Sequence, residues 1–100
     1  MAKGYWLARV DVKNPDGYKQ YAAALQPLFK NYGARYLTRG GRSENVEGSN
    51  RSRNVVIEFK DYESALACYR SAEYQKVIAL RTAAADSDLI VLEGYDGPQP

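Results

Sequence analysis

From Tyr5 to Val12 the chain alternates, with Trp6, Ala8, Val10 and Val12 on one side and Tyr5, Leu7, Arg9 and Asp11 on the other. A period of two is that of an extended strand with one apolar face. Asn14, Pro15, Asp16 and Gly17 interrupt it, Asn14 as a helix N-cap and Pro15 in the first turn. The period then changes. Tyr18, Tyr21, Ala22, Leu25, Leu28, Phe29 and Tyr32 recur at steps of three and four, the stripe of an amphipathic helix, and Gly33 follows as its C-cap. Pro27 lies inside this stripe and lacks the N–H for one helical bond, so a kink or a restart near Leu25 is expected.

Ala34 to Arg39 reads as a second strand. Gly40 and Gly41 predict a bulge or sharp bend before Arg42 to Glu47 continues in extended form, with a tight hairpin as the competing reading. Gly48, Ser49 and Asn50 supply turn chemistry, and Arg53 to Phe59 is a β-branched strand centred on Val55, Val56 and Ile57. Asp61 can cap the next helix, whose inner side carries Ala65, Leu66 and Tyr69. Ser71 reads as a second N-cap, for a helix bearing Tyr74, Val77, Ile78, Arg81 and Ala84. Leu89 to Glu93 closes the chain as a strand. Residues 1–95 are therefore expected to form a single α+β domain of ferredoxin-like βαββαβ topology, a four-stranded antiparallel or mixed sheet with helices on one face. Residues 96–100, rich in Pro and Gly, are expected to be a flexible tail.

In this topology the first and third strands are neighbours. The sheet face away from the helices then collects Tyr5, Leu7, Arg9 and Asp11 with Asn54, Val56 and Glu58. The last strand is apolar on both sides and adds either Leu89 and Val91 or Ile90 and Leu92. A strand apolar on both faces is normally covered on both. A second copy of the chain is the simplest lid, so a homodimer is expected.

Length and charge narrow the choice. One hundred residues make one domain. A hydrophobic content of 45% with 26% charged residues is that of a globular protein rather than a disordered one. A net charge of +2 makes no case for nucleic acid, which requires a row of clustered Lys and Arg, nor for a membrane surface. Cys68 is the only cysteine and there is no histidine, so no intrachain disulfide, metal site, histidine-ligated haem or other cofactor is expected. A reducing, cytoplasmic setting fits a lone thiol, and neither a signal peptide nor a membrane span is expected.

Several stretches are also familiar as a set: Lys3-Gly4-Tyr5-Trp6, Ala8-Arg9-Val10-Asp11-Val12, Tyr32-Gly33-Ala34-Arg35-Tyr36-Leu37, Arg39-Gly40-Gly41, Val46-Glu47-Gly48, Val55-Val56-Ile57-Glu58-Phe59, Tyr69-Arg70-Ser71-Ala72-Glu73-Tyr74-Gln75 and Leu92-Glu93-Gly94. Over nearly its whole length the chain resembles the domain-of-unknown-function 1330 family. The resemblance implies a dimeric α/β barrel, two ferredoxin-like sheets facing each other, and no settled activity. The chain departs from that pattern at Cys68, where tryptophan is frequent, at Ala72, where proline is frequent, and at Asn50-Arg51-Ser52, where an aromatic and a proline are common.

The open face supplies the candidate chemistry. Arg9, Asp11, Asn54 and Glu58 share it, with Arg39 nearby if its strand points that way. Buried charges persist only when paired. Arg9 and Glu58 can therefore form an ion pair between neighbouring strands or across the dimer axis, or they can hold a ligand. Asp11 and Glu58 are weak catalytic candidates, a carboxylate pair able to share a proton. Tyr5, Arg9, Arg39, Asn54 and Tyr69 are candidate ligand contacts. Among the nine tyrosines, Tyr36 and Tyr74 can also line a pocket, against a core role for most of them. The basic run Arg35, Arg39, Arg42, Arg51 and Arg53 can bind a carboxylate or phosphate, or be a solvated surface interleaved with Glu44 and Glu47. Cys68 has no histidine base and reads as a buried inert thiol. Two functions stay open. One is a homodimeric protein binding a small organic or anionic molecule in a cleft at the dimer interface. The other is a cofactor-independent enzyme resembling the barrel monooxygenases or isomerases, with Asp11 or Glu58 transferring a proton and Arg9 or Arg39 steadying an oxyanion.

Overall fold

The alternating first segment is strand β1 (Gly4–Val12), and the three-four stripe is helix α1 (Pro15–Tyr32). The computed structural model describes residues 2–100. After α1 come β2 (Arg35–Arg39), β3 (Arg53–Phe59), α2 (Tyr62–Arg70), α3 (Ala72–Ala84) and β4 (Ala85–Glu93). The sheet order is β2-β3-β1-β4 with every neighbouring pair antiparallel, the ferredoxin-like βαββαβ arrangement. Among the described residues no helix is long and apolar enough to cross a membrane.

The helix ends follow local chemistry. The Asn14 side chain accepts from Gly17 N–H at 3.1 Å, and Gly33, at φ 65°, ends α1 while Ala34 N–H reaches back to the Phe29 carbonyl at 2.9 Å. α1 runs unbroken through Pro27, so the expected restart near Leu25 does not occur. Pro27 and Ala23 both lie on the exposed side of the helix. The hydrogen bond that Pro27 cannot make is therefore lost on the solvent side of the helix. Asp61 caps α2 through Ser64 N–H at 2.7 Å, and the Ser64 side chain together with that N–H holds the Asp61 carboxyl below its ordinary pKa. Ser71 separates α2 from α3, donating to the Cys68 carbonyl at 2.7 Å and accepting from Tyr74 N–H at 3.2 Å.

Trp6 centres the core. It is 1% exposed, donates its indole N–H to the Ala65 carbonyl at 2.8 Å, and meets the rings of Phe29, Phe59, Tyr69 and Tyr74 at centroid distances of 4.9–5.9 Å. Such edge and tilted ring contacts add to the area they bury. Gly4, at the start of β1, lets α2 press close: a Cβ there would overlap the Asp61 carbonyl.

β4 starts at Ala85 rather than Leu89. The polar segment Asp86-Ser87-Asp88 is carried into the ladder by its register with Asp11, Val10 and Arg9 of β1, a tertiary constraint that overrides its weak strand propensity. That register also settles the two sides of β4. Leu89 and Val91 pack on the core, while Ile90 and Leu92 pair with Leu7 and Tyr5 on the open face. Residues 40–52 form neither the expected extended continuation over Arg42 to Glu47 nor a tight hairpin. The break in the β2–β3 register falls between Tyr36 and Thr38, ahead of the two glycines.

Burial of the ionisable core groups sets a pH dependence. Cys68 and Tyr74 are fully buried; burial pushes the Cys68 thiol up to about 12 and raises the phenols of Tyr74 and Tyr21. Above about pH 9 the unfolded chain releases protons that the native state keeps, so stability is fully present below that pH and falls as pH rises toward 12. In an alkaline titration followed by phenolate absorbance, Tyr21 and Tyr74 are expected to ionise only as the helical circular dichroism is lost. Their ionisation with the dichroism intact would contradict the packing described.

Candidate functional site

The register fixes which side chains share a face. On the open face three rows cross the central strands: Val56, Leu7 and Ile90; Glu58, Tyr5 and Leu92; Asn54, Arg9 and Asp88. Arg9 therefore stands opposite Asn54, and Glu58 opposite Tyr5. Among the described residues Arg9 and Glu58 form no pair, and Glu58 lies 3.8 Å from Arg35. Asp11 lies on β1 beyond Arg9, so Asp11 and Glu58 are separated by roughly 20 Å of strand at about 3.4 Å per residue. They do not share a proton within one chain.

What Arg9 does hold is the long loop. Its Nε donates to Asn54 Oδ1 at 3.0 Å, and its Nη2 donates to Asn45 Oδ1 and the Ser49 carbonyl at 3.2 and 3.1 Å. Asn54 Nδ2 donates in turn to Ser43 Oγ and the Arg51 carbonyl. Arg51 bridges the acidic end of the face, reaching Asp11 Oδ2 at 3.1 Å and Asp88 Oδ2 at 3.0 Å, while Ser52 N–H donates to Asp11 Oδ1. The register sets Asp11 directly opposite Asp86, and Arg51 with Lys13, 2.9 Å from Asp86, offsets that repulsion. Arg9, Asn54 and Asp11 are thus all engaged with residues 40–52. The basic run of this segment includes a structural clamp, Arg51, that charge counting alone does not separate from a solvated surface.

Arg39 is on the other face. It pairs with Val55, whose side chain is in the core, and its guanidinium lies 4.2 Å from the centroid of Tyr36. The bulge at Leu37 changes the side that Arg39 takes, which the sequence reading left conditional. Arg53 points to the same side, 5.3 Å from the Tyr18 ring centroid and packed against Gly40. Gly40 has φ 73°, and a Cβ there would overlap the Arg53 guanidinium, so glycine makes the room the arginine occupies. Between α1 and the sheet, Tyr18, Tyr21, Tyr36, Arg39, Arg53 and Trp6 line a cleft with about 30 Å³ of free space, whose apolar walls include Ala8, Leu25, Val55, Ile57 and Leu89. Arg53 Nε is buried without a hydrogen-bond partner, and among the described residues neither Arg39 nor Arg53 has an ion pair. Burial raises the Tyr36 phenol above its ordinary pKa.

The five candidate contacts are thus divided. Tyr5, Arg9 and Asn54 share the open face, and Arg9 and Asn54 touch. Arg39 lines the cleft. Tyr69 packs against Trp6 and Tyr74 in the core, centroids at 5.9 and 5.1 Å. The periodicity of α1 showed Tyr18 and Tyr21 only as apolar-stripe residues. Tyr18 meets Arg53 at the start of β3 and Tyr21 meets Arg81 of α3, contacts that only the tertiary packing creates.

The family model for the domain of unknown function DUF1330 matches residues 3–95. The chain belongs to that family. Solved structures agree on the fold. A similar chain fold is seen in a protein of unknown function from Rhodopseudomonas palustris, 18% identical, with TM-score 0.77 over 96% of this chain and 85% of that one. A dimeric ferredoxin-like protein of unknown function from Thermobifida fusca is 14% identical, with TM-score 0.60 over 91% and 90%. SnoaB, a cofactor-independent oxygenase from Streptomyces nogalater, is 10% identical, with TM-score 0.62 over 100% and 97%. At these identities the likeness is one of fold. No curated protein matches the chain.

The clamp role of Arg9 is testable. Arg9→Met removes three hydrogen bonds from a partly exposed site and is expected to cost about 1–2 kcal/mol. It should also speed tryptic cleavage after Arg42 and Arg51 while the circular dichroism spectrum is retained. Unchanged cleavage rates in the variant would show that the loop does not depend on Arg9.

Proposed function

We propose that this DUF1330 protein is a homodimeric binding protein for small organic anions, taken up in the cleft between α1 and the sheet. The observation that carries the reading is Arg53, whose guanidinium is set against Gly40 and the Tyr18 ring, has a buried Nε with no partner, and shares its cleft with Arg39 and no carboxylate. Two cations in one recess repel each other, and an anion between them relieves the repulsion while taking up the idle N–H. The tyrosine rings and aliphatic walls favour an organic body over a bare phosphate or sulfate. The free volume admits about one water-sized group, so a larger occupant displaces the exposed Arg39 side chain at the mouth.

The open face supports the dimer. Ile90 is 51% and Leu92 37% exposed, and with Leu7, Val56 and Tyr5 they form an apolar patch across the central strands. Burial of such a patch is worth about 25 cal/mol per Å², and the fold neighbour from Thermobifida fusca is itself described as dimeric. The ligand site then lies on the helix side of each subunit and the interface on the other. The fully buried Cys68 suits a reducing, cytoplasmic setting. The carboxylate acid–base reading has no support here, because Asp11 is engaged by Arg51 and Ser52 and neither Asp11 nor Glu58 lines the cleft.

Titration calorimetry with benzoate tests the ligand reading. The wild type is expected to bind, and Arg53→Met to lose about 10-fold or more in affinity, the scale of a charge-assisted hydrogen bond. Equal affinity in the two proteins, or no binding by the wild type, would reject it. Sedimentation should give a dimer at micromolar concentration, converted to monomer by Leu7→Lys. A monomeric wild type would reject the interface.

A further inference from the structure

At its inner side the cleft meets a pair of tyrosines joined by their hydroxyls. Tyr21 Oη and Tyr74 Oη are 2.7 Å apart, and Arg81 Nη1 donates to Tyr74 Oη, also at 2.7 Å. Each phenol has one proton, so the single bond between the two oxygens uses only one of them. If Tyr21 donated, Tyr74 would accept twice, from Tyr21 and from Arg81, and its own proton would be left without an acceptor. Tyr74 is 0% exposed, and a buried hydroxyl proton with no acceptor carries the full desolvation penalty. The balance is met when Arg81 donates to Tyr74 and Tyr74 donates to Tyr21. The proton of Tyr21 is then the one left over. Tyr21 lines the cleft and is 4% exposed, and among the described residues its hydroxyl has no hydrogen bond other than the one to Tyr74 and the contact with Arg81, a donor.

We infer that the Tyr21 hydroxyl is an oriented hydrogen-bond donor to the ligand, and that the cleft selects aromatic carboxylates bearing a carbonyl or ether oxygen at the end remote from the carboxylate. The inference rests on the anion-binding reading of the same cleft. The carboxylate goes to Arg53 and Arg39, the ring to Tyr18 and Tyr36, and the remote oxygen to Tyr21. Arg81 acts as a positioning residue: it donates to Tyr74 and also bears on the Tyr21 hydroxyl, holding the pair in place. A ligand with an apolar group at that end leaves the Tyr21 proton unpaired and is discriminated against.

Two nearly isosteric probes separate this inference from the reading beneath it: para-acetylbenzoate, which offers a carbonyl oxygen, and para-isopropylbenzoate, which does not. The wild type is expected to prefer the acetyl compound by about 5- to 10-fold, the scale of one neutral hydrogen bond. Tyr21→Phe should bind the isopropyl compound as the wild type does and lose the preference. Tyr74→Phe should keep it, because the Tyr21 proton remains available, and this variant decides the matter with the wild type should Tyr21→Phe fail to fold. Equal binding of both probes by the wild type would overturn the inference and leave anion binding standing. So would a preference that survives Tyr21→Phe, or one seen only in Tyr74→Phe, which would mean that the hydroxyl relay runs the other way. Binding of neither probe would overturn both.

Discussion

Trp6 is the point on which the other contacts depend. Its ring lies on the first strand, its N–H is bonded to a carbonyl of α2, and its faces and edges meet Phe29 of α1, Phe59 of β3 and Tyr74 of α3. One side chain therefore fixes the distance of the sheet from all three helices. It also seats Tyr74, and Tyr74 seats the Tyr21 hydroxyl. The inner wall of the cleft is thus an extension of the core. Its outer wall is different in kind. Arg39 and Arg53 come from the ends of strands, one placed by a bulge and the other given room by a glycine at positive φ. A rigid aromatic floor with a cationic rim made from loop-adjacent residues is the usual division between scaffold and site.

The two faces of the sheet put arginine to opposite uses. On the open face Arg9 and Arg51 are spent on the chain itself, holding residues 40–52 against Asn54, Asp11 and Asp88. On the helix face Arg39 and Arg53 have aromatic rings beneath them and no acid opposite. The same residue type is structural where its donors are matched and poised for a ligand where they are not. The open-face depression lined by Arg9, Asn45, Arg51 and Asn54 is larger, about 180 Å³, yet each of these four side chains already donates to the chain and Glu44 stands in its wall. Unmatched donors point to the cleft over the larger hollow.

Much of this was legible in the sequence. Alternation in β1, the stripe of α1, the caps at Asn14, Gly33, Asp61 and Ser71, and the topology are local signals, and local physics settles them. Register is not local. The expectation that Arg9 meets Glu58 placed both on the correct face but could not know that Arg9 falls opposite Asn54 and Glu58 opposite Tyr5. Arg39 was a candidate whose side depended on its strand, and the bulge at Leu37 decided it. Tyr21 carried a purely apolar signal, because a hydroxyl at a stripe position looks like any aromatic until Tyr74 is brought beside it from across the chain. Asp86 to Asp88 fell outside the strand expected from Leu89 to Glu93 because the force holding them in β4 is the ladder with β1 and not their own propensity.

The central claim is that ligand binds on the helix face, at donors the fold leaves idle. Chemical-shift mapping of the wild-type protein on titration with para-acetylbenzoate, read at the arginine Nε–Hε and tyrosine ring signals, addresses it most directly. The account predicts that Arg53, Tyr18, Tyr21 and Tyr36 shift while Arg9 and Arg51 stay in place. Shifts centred on Arg9 and Arg51 with Arg53 and Tyr21 unmoved would contradict it and return the site to the open face.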